Sequence, residues 1–120
     1  MERAIMIGWV LSALAAAFLF LAGVMNVLKA PPAIKSMEQV GYPLDVLRTF
    51  GVCKVLIATL CLLPATSFIG AILATGWMGG AIAAHVRVKD KFFIQAAIPI
   101  IIWVGFGLRH QSAMHSLLGF

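Results

Sequence analysis

Charged residues are scarce in this sequence, and acidic residues are the scarcest of them. Its 120 residues include nine Lys and Arg but only four Asp and Glu, so that 11% are charged while 62% are hydrophobic. A soluble domain carries about 25% charged residues, and a chain with so few could not solvate its apolar surface. This scarcity excludes an ordinary soluble fold and predicts that lipid surrounds most of the chain.

The sequence has only two cysteines and no obvious cluster of metal ligands. Cys53 and Cys61 lie in one apolar segment, where a helix separates them by about 12 Å, whereas a disulfide needs Cα atoms within about 7 Å. No intrachain disulfide is therefore expected. No Cys, His or carboxylate cluster has ligand spacing, so no metal site is predicted. A haem is not expected either, because His85 and the pair His110 and His115 belong to opposite ends of the apolar segments.

The net charge of +5 raises the question of a nucleic-acid partner. The basic residues are scattered between apolar blocks and form no continuous stripe, which argues against nucleic-acid binding. Basic residues beside membrane spans set the topology and contact lipid headgroups. Membrane lipids are thus the expected partners of these charges.

Four long apolar runs are what the sequence does contain. They predict spans at about residues 5–28, 47–63, 67–86 and 92–108, each near the length of about 20 residues that crosses hydrocarbon. The first run is too long for a signal-peptide core and is interpreted as a span that stays in the protein. The predicted fold is all-α, a four-transmembrane-helix bundle forming one integral membrane domain over residues 1–120.

A short amphipathic segment is predicted between the first two spans. Pro31 and Pro32 stop the first helix, and Ile34, Met37 and Val40 then recur at three-residue spacing. This pattern predicts a helix lying at the membrane interface, with an ordered loop as the alternative.

The distribution of Lys and Arg predicts the orientation, because cytoplasmic connections carry an excess of them. One side of the predicted bundle has six and the other has two: Lys29, Lys35, Arg48, Arg87, Lys89 and Lys91 against Arg3 and Arg109. The first side is expected to be cytoplasmic in a bacterial-type inner membrane, with both termini outside. In the third span, the spacing of Gly76 and Gly80 predicts a packing stripe, or alternatively a substrate groove, and favours a homo-oligomer.

Several strings in fixed order resemble one family. These are Gly41-Tyr42-Pro43, Gly51, Leu62-Leu63-Pro64, Ile69-Gly70-Ala71, and Gly79-Gly80-Ala81 followed by His85 and Arg87. Over about residues 8 to 108 the chain resembles the DoxX-like family of small four-span membrane proteins. The resemblance implies the fold and, for some members, work near quinone or sulfur oxidation or in membrane redox defence. Lys54 departs from the pattern, since such proteins often carry an acidic or neutral residue there.

Polar side chains inside spans are costly and are therefore candidates for function. Four of them lie at similar depth, about 3–9 Å from the predicted cytoplasmic boundary at about 1.5 Å per residue: Asn26, Lys54, His85 and Gln95. In a bundle they could converge on one pocket. The alternatives are a snorkelling Lys54, a His85 bonded to a carbonyl, and Asn26 and Gln95 as interhelical contacts.

The candidate catalytic residues are His85 and Lys54. Histidine exchanges protons near neutral pH, and an ammonium group can hold a quinone or enolate oxygen. Asn26, Gln95 and Tyr42 are the candidate ligand-binding residues, with Tyr42 in a lid beside Glu38 and Asp45.

Three functions are compatible with this pattern. The first is a subunit or enzyme acting on a lipophilic redox molecule such as a quinone, and the second is a non-redox isomerase or cyclase that moves protons on a lipophilic substrate. The third is a non-catalytic membrane assembly or interaction protein. A multidrug transporter is disfavoured because no acidic residue lies within a span. The cofactor is left open, with a quinone as the candidate.

Overall fold

Every element of the chain is helical across residues 2–119, the part that the computed structural model describes. Four long helices coincide with the four apolar runs: α1 (Glu2–Val27), α3 (Leu47–Leu62), α4 (Ser67–Arg87) and α5 (Phe93–Arg109). Two short helices, α2 (Pro31–Val40) and α6 (Gln111–Leu118), and a 3-10 turn at Leu44–Val46 complete the fold. The predicted all-α class is confirmed, and the two end positions of the predicted domain 1–120 lie outside the described residues.

The length and apolarity of the helices qualify two of them as membrane spans. In residues 2–119, α1 with 26 residues and α4 with 21 are long enough, and α5 with α6 gives a third span only if this pair is one span bent by 107°. Helix α3 has 16 residues, whereas a helix needs about 20 residues to cross the hydrocarbon layer. The chain is a helical membrane protein with two or three candidate spans, and the predicted four spans stay a prediction.

The outer surface of the bundle is apolar, as expected of a protein that faces lipid. Many large apolar side chains are at least half exposed, among them Met6, Leu14, Leu21, Val52, Leu56, Ile69, Phe93, Ile94 and Ile100. Soluble monomers rarely expose apolar patches beyond a few hundred Å². Lipid contact accounts for this surface, since acyl chains cover these side chains without the cost that water would impose.

The four long helices close into a ring. Helix α1 packs against α3 and α5, and α4 packs against the same two. The core between them is built mainly from small and branched side chains: Ala15, Ala16, Leu19, Ile57, Ala58, Cys61, Ala71, Ala74, Met78, Ile98 and Ile102. Small residues let helix backbones approach, which is the main source of helix association in lipid.

Two glycine pairs mark the closest helix crossings. A Cβ atom on Gly51 of α3 would lie 2.6 Å from the carbonyl oxygen of Gly23 on α1. A Cβ atom on Gly8 of α1 would lie 2.8 Å from the carbonyl oxygen of Gly105 on α5. Only glycine permits backbones this close, so these pairs set the distances of α1 from both neighbours.

The glycine stripe predicted to pack, by contrast, touches nothing. A Cβ atom on Gly76, Gly79 or Gly80 would find no atom within 4 Å. The prediction of a packing stripe is therefore wrong within this chain, because the spacing of glycines shows which residues share a face but not what that face meets.

The predicted amphipathic segment is helix α2. It begins at Pro31, where the missing N–H costs nothing. It ends at Val40 and is capped by Gly41, whose φ of 82° is readily adopted by glycine. Met37 and Ala33 are buried in a small cluster with Leu47, which joins α2 to the start of α3. The helix thus lies across one end of the bundle.

Candidate functional site

A cavity of about 370 Å³ opens at the end of the bundle that α2 crosses. It lies within the size range of about 300–1,000 Å³ usual for small-molecule sites. Its polar lining residues are Ser36, Tyr42, Lys54, His85 and Gln95, and its apolar lining includes Phe18, Phe50, Trp77 and Met78. The second halves of α1 and α4 and the first halves of α3 and α5 supply its walls.

The structure brings four of the five predicted site residues to this cavity and leaves one outside. Lys54, His85, Gln95 and Tyr42 all line it. Asn26 does not: it is 4% exposed, and its side-chain amide donates to a backbone carbonyl of α3, at Leu47, over 3.5 Å. That contact is the interhelical hydrogen bond that the alternative interpretation of Asn26 described.

His85 is held in one orientation by its two ring nitrogens. Nδ1 lies 2.7 Å from the carbonyl oxygen of Ala81, and because a carbonyl can only accept, Nδ1 carries the hydrogen. In the neutral ring, Nε2 then carries the lone pair, and the Gln95 amide donates a hydrogen bond to it over 3.4 Å. Nε2 is therefore the atom that can accept or deliver a proton.

A carboxylate stands beside this histidine, and sequence reasoning did not identify it. The Asp90 Oδ2 atom lies 3.9 Å from Nε2 of His85, because Lys89 at φ 58° turns the chain back and the Asp90 N–H donates to the carbonyl of His85. Asp90 lies outside every predicted span, which is why a search for acidic residues within spans missed it.

Lys54 is the one Lys, Arg, Asp or Glu side chain among the residues that line the described cavity. Its side chain is half-buried, and within residues 2–119 it makes no hydrogen bond or ion pair. None of the residues that line the described cavity is a carboxylate. An ammonium group with no internal partner attracts an electron-rich oxygen from a ligand.

Aromatic rings form one side of the cavity. Tyr42 contacts Phe50 edge-on with ring centroids 5.4 Å apart, and Phe50 contacts Trp77 in the same way at 5.1 Å. Gly76 and Gly80 of α4 also line the cavity. The stripe of glycines thus supplies space beside the rings, as the alternative of a substrate groove described.

Helix α2 is held over the cavity by two hydrogen bonds to the end of α4 and the connection that follows it. The Gln39 amide donates to Oδ2 of Asp90 over 2.8 Å, and the Arg87 guanidinium donates to the carbonyl of Val40. Asp90 therefore contacts both α2 and His85, so that a shift of α2 would change the polar surroundings of the histidine.

Metal ligation is not indicated among the described residues. No group of three or more His, Cys, Asp and Glu in residues 2–119 could hold a metal ion. His110 and His115 belong to the other end of the bundle.

These features define a class: a small helical membrane protein with an apolar cavity and a few converging polar groups. The profile of the DoxX-like family matches residues 10–106, and the chain belongs to that family. Neither the curated proteins nor the solved structures gave a match.

Proposed function

We propose that this protein is a four-span inner-membrane protein that binds a lipophilic molecule with a carbonyl or quinone oxygen in this cavity. The observation that carries the proposal is the unpaired Lys54 ammonium group, which shares an apolar, aromatic cavity with His85, whose Nε2 can accept a proton. Tyr42 and Gln95 are proposed as further ligand contacts, and the cytoplasmic half of the membrane as the location.

The lining supports a flat, electron-poor ring with an oxygen substituent. Phe50 and Trp77 offer ring edges and faces for stacking. Lys54 offers a charge-assisted hydrogen bond, which is about twice as strong as a neutral one. A quinone head group combines both features, and its isoprenoid-like tail would extend into the bilayer.

The protonation chemistry is assigned to His85. Reduction of a quinone to a hydroquinone takes up two electrons and two protons, and the electrons would come from a separate redox protein in the membrane. Nε2 of His85, after taking up a proton from water, would deliver it to the oxygen held by Lys54, and water would supply the second proton to the other oxygen. A role at or near a quinone reaction is therefore part of the proposal.

Quinone titration in detergent tests the proposal. A short-chain benzoquinone should quench Trp77 fluorescence in a variant whose other two tryptophans are phenylalanine. Lys54→Met should weaken binding by about tenfold or more, because a hydrogen bond to a charged group contributes about 1.5–3 kcal/mol. Lys35→Met, which removes an exposed charge outside the cavity lining, should bind as the wild type does. Equal affinity for the Lys54 and Lys35 variants would refute the role of Lys54.

A non-redox isomerase or cyclase is the second candidate, and the His85–Asp90 pair favours it. Such an enzyme would move a proton on a lipophilic carbonyl compound without an electron carrier. Incubation of an enolisable long-chain ketone in D2O should then give deuterium incorporation that His85→Gln abolishes and Lys35→Met leaves intact. Quinone binding without exchange would select the first function, and failure of both assays would favour a non-catalytic assembly role.

A further inference from the structure

At the end of the bundle opposite the cavity, the part of the chain that the structure describes holds a half-buried cation with no carboxylate partner. Arg109, the last residue of α5, is half-buried, and its Nε and Nη1 atoms are buried with no hydrogen-bond partner among residues 2–119. Its Cζ atom lies 4.1 Å from the ring centroid of Trp9. No carboxylate of residues 2–119 forms an ion pair with Arg109.

Two more buried polar atoms without partners belong to the same end of the bundle. Ser12 is 4% exposed, and its Oγ is buried without a partner, as is Nε2 of His110. Gly8, one turn before Ser12, lies against the Arg109 side chain, since a Cβ atom on it would be 2.7 Å from Cγ. Buried donors without partners are costly, and a ligand that accepts hydrogen bonds would relieve that cost.

An apolar groove adjoins this polar group. Helix α6 bends by 107° from α5 and folds back so that a groove of about 420 Å³ lies between the two helices. Its lining is apolar throughout: Phe68, Trp103, Val104, Met114, Leu117 and Leu118. Phe106 joins the two regions, because its ring contacts those of His110 at 4.4 Å and Trp103 at 5.7 Å.

We propose that this end is a binding site for one anionic phospholipid, with the phosphate on Arg109 and an acyl chain in the groove between α5 and α6. Arginine binds phosphate with parallel charge-assisted hydrogen bonds. Trp9 stacks on the guanidinium and belongs to the amphipathic residue types that favour the headgroup level. The chemistry of both halves fits a single amphiphile: a negative head beside an unpaired cation, and a hydrocarbon chain beside an apolar groove. The site is separate from the cavity and does not depend on the function proposed for it.

Native mass spectrometry of the full chain in detergent tests the site. Phosphatidylglycerol should be retained about fivefold or more above phosphatidylcholine with the same acyl chains. Arg109→Gln should reduce that adduct about tenfold or more, as expected when a charge-assisted hydrogen bond is lost. Arg109→Lys, which keeps the charge, should retain part of it. Arg3→Gln is the matched control, because it removes an exposed charge from the same end of the bundle, and it should leave the adduct unchanged.

Two results would overturn the proposal. An equal loss of the phosphatidylglycerol adduct in Arg3→Gln and Arg109→Gln would mean non-specific attraction. If inorganic phosphate stabilised the protein against unfolding as much as phosphatidylglycerol does, the site would be assigned to a free anion. A second measurement applies if Arg109→Gln misfolds. In protein that keeps Arg109, Trp9 and Trp103 and has Trp77 replaced by phenylalanine, phosphatidylglycerol with brominated chains should quench fluorescence more than the phosphatidylcholine equivalent. Equal quenching by the two lipids would also refute a headgroup-selective site.

Discussion

Gly51 and Gly79 are the same residue type in opposite surroundings. A side chain at Gly51 would meet the backbone oxygen of Gly23 at 2.6 Å and the Asn26 Cβ at 2.8 Å, whereas Gly79 has open space. Overpacking of this kind costs about 1–3 kcal/mol, and an exposed helical Gly→Ala change stabilises by up to about 1 kcal/mol. The surroundings therefore decide the sign of the effect.

Gly51→Ala should lower the thermal unfolding temperature in detergent, while Gly79→Ala should leave it unchanged or raise it. The measurement is a melting curve of each purified variant, followed by a thiol-reactive dye at the buried Cys61. If the two variants melt alike, the α1–α3 crossing is looser than described. A strong loss for Gly79→Ala would instead point to a partner covering α4.

The single residues also show how far sequence alone could locate the site. The depth of Lys54, His85 and Gln95 follows from counting residues in from the charged ends, so their convergence was predictable. Asn26 has the same depth but turns toward α3, because depth along a helix does not define rotation about its axis. Asp90 was missed for a different reason: only the backbone turn at Lys89 brings it back to the histidine.

Among the elements, long apolar runs were predictable to within three residues at each helix end, because lipid imposes the same composition on every residue that faces it. Helix α6 was not predicted, since its eight residues contain too little apolar periodicity to stand out. The partner of each helix face was not predictable either. Close crossings use Gly8, Gly23, Gly51 and Gly105, while the most regular glycine spacing, on α4, borders the cavity.

The fastening of α2 can be tested at the scale of the element. Gln39→Ala removes the hydrogen bond to Asp90, which contributes about 0.5–1.5 kcal/mol. Amide hydrogen exchange in α2 should therefore rise about two- to tenfold, while exchange in α1 stays the same. Lys35→Ala is the control on the same helix, since Lys35 is exposed and makes no polar contact within the described residues. Equal exchange in the two variants would show that the packing of Met37, and not the hydrogen bond of Gln39, holds α2 against the bundle.

For the whole molecule, the number of spans decides where the termini lie. Four spans place both ends on one side, whereas three place them on opposite sides, and the six-to-two distribution of Lys and Arg predicts that both are outside. In a background without Cys53 and Cys61, Glu2→Cys and Ser116→Cys should react with a membrane-impermeant thiol reagent on intact cells. Val88→Cys, in the α4–α5 connection, should react only after permeabilisation.

Labelling at one terminus only would reject four spans in favour of three. Labelling of Val88→Cys on intact cells, with the termini protected, would keep four spans but reverse the orientation. Either result would leave the ring of four packed helices intact, because that arrangement depends on contacts within the chain and not on its direction in the bilayer.

The 16 residues of α3 have a consequence for the surrounding membrane. At about 1.5 Å per residue such a helix is about 24 Å long, some 6 Å less than a typical hydrocarbon layer of about 30 Å. A crossing α3 would therefore pull the nearest headgroups inward and thin the bilayer on that flank. The protein would then respond to acyl-chain length, and a host with shorter or less saturated lipids would suit it better than one with long, stiff chains.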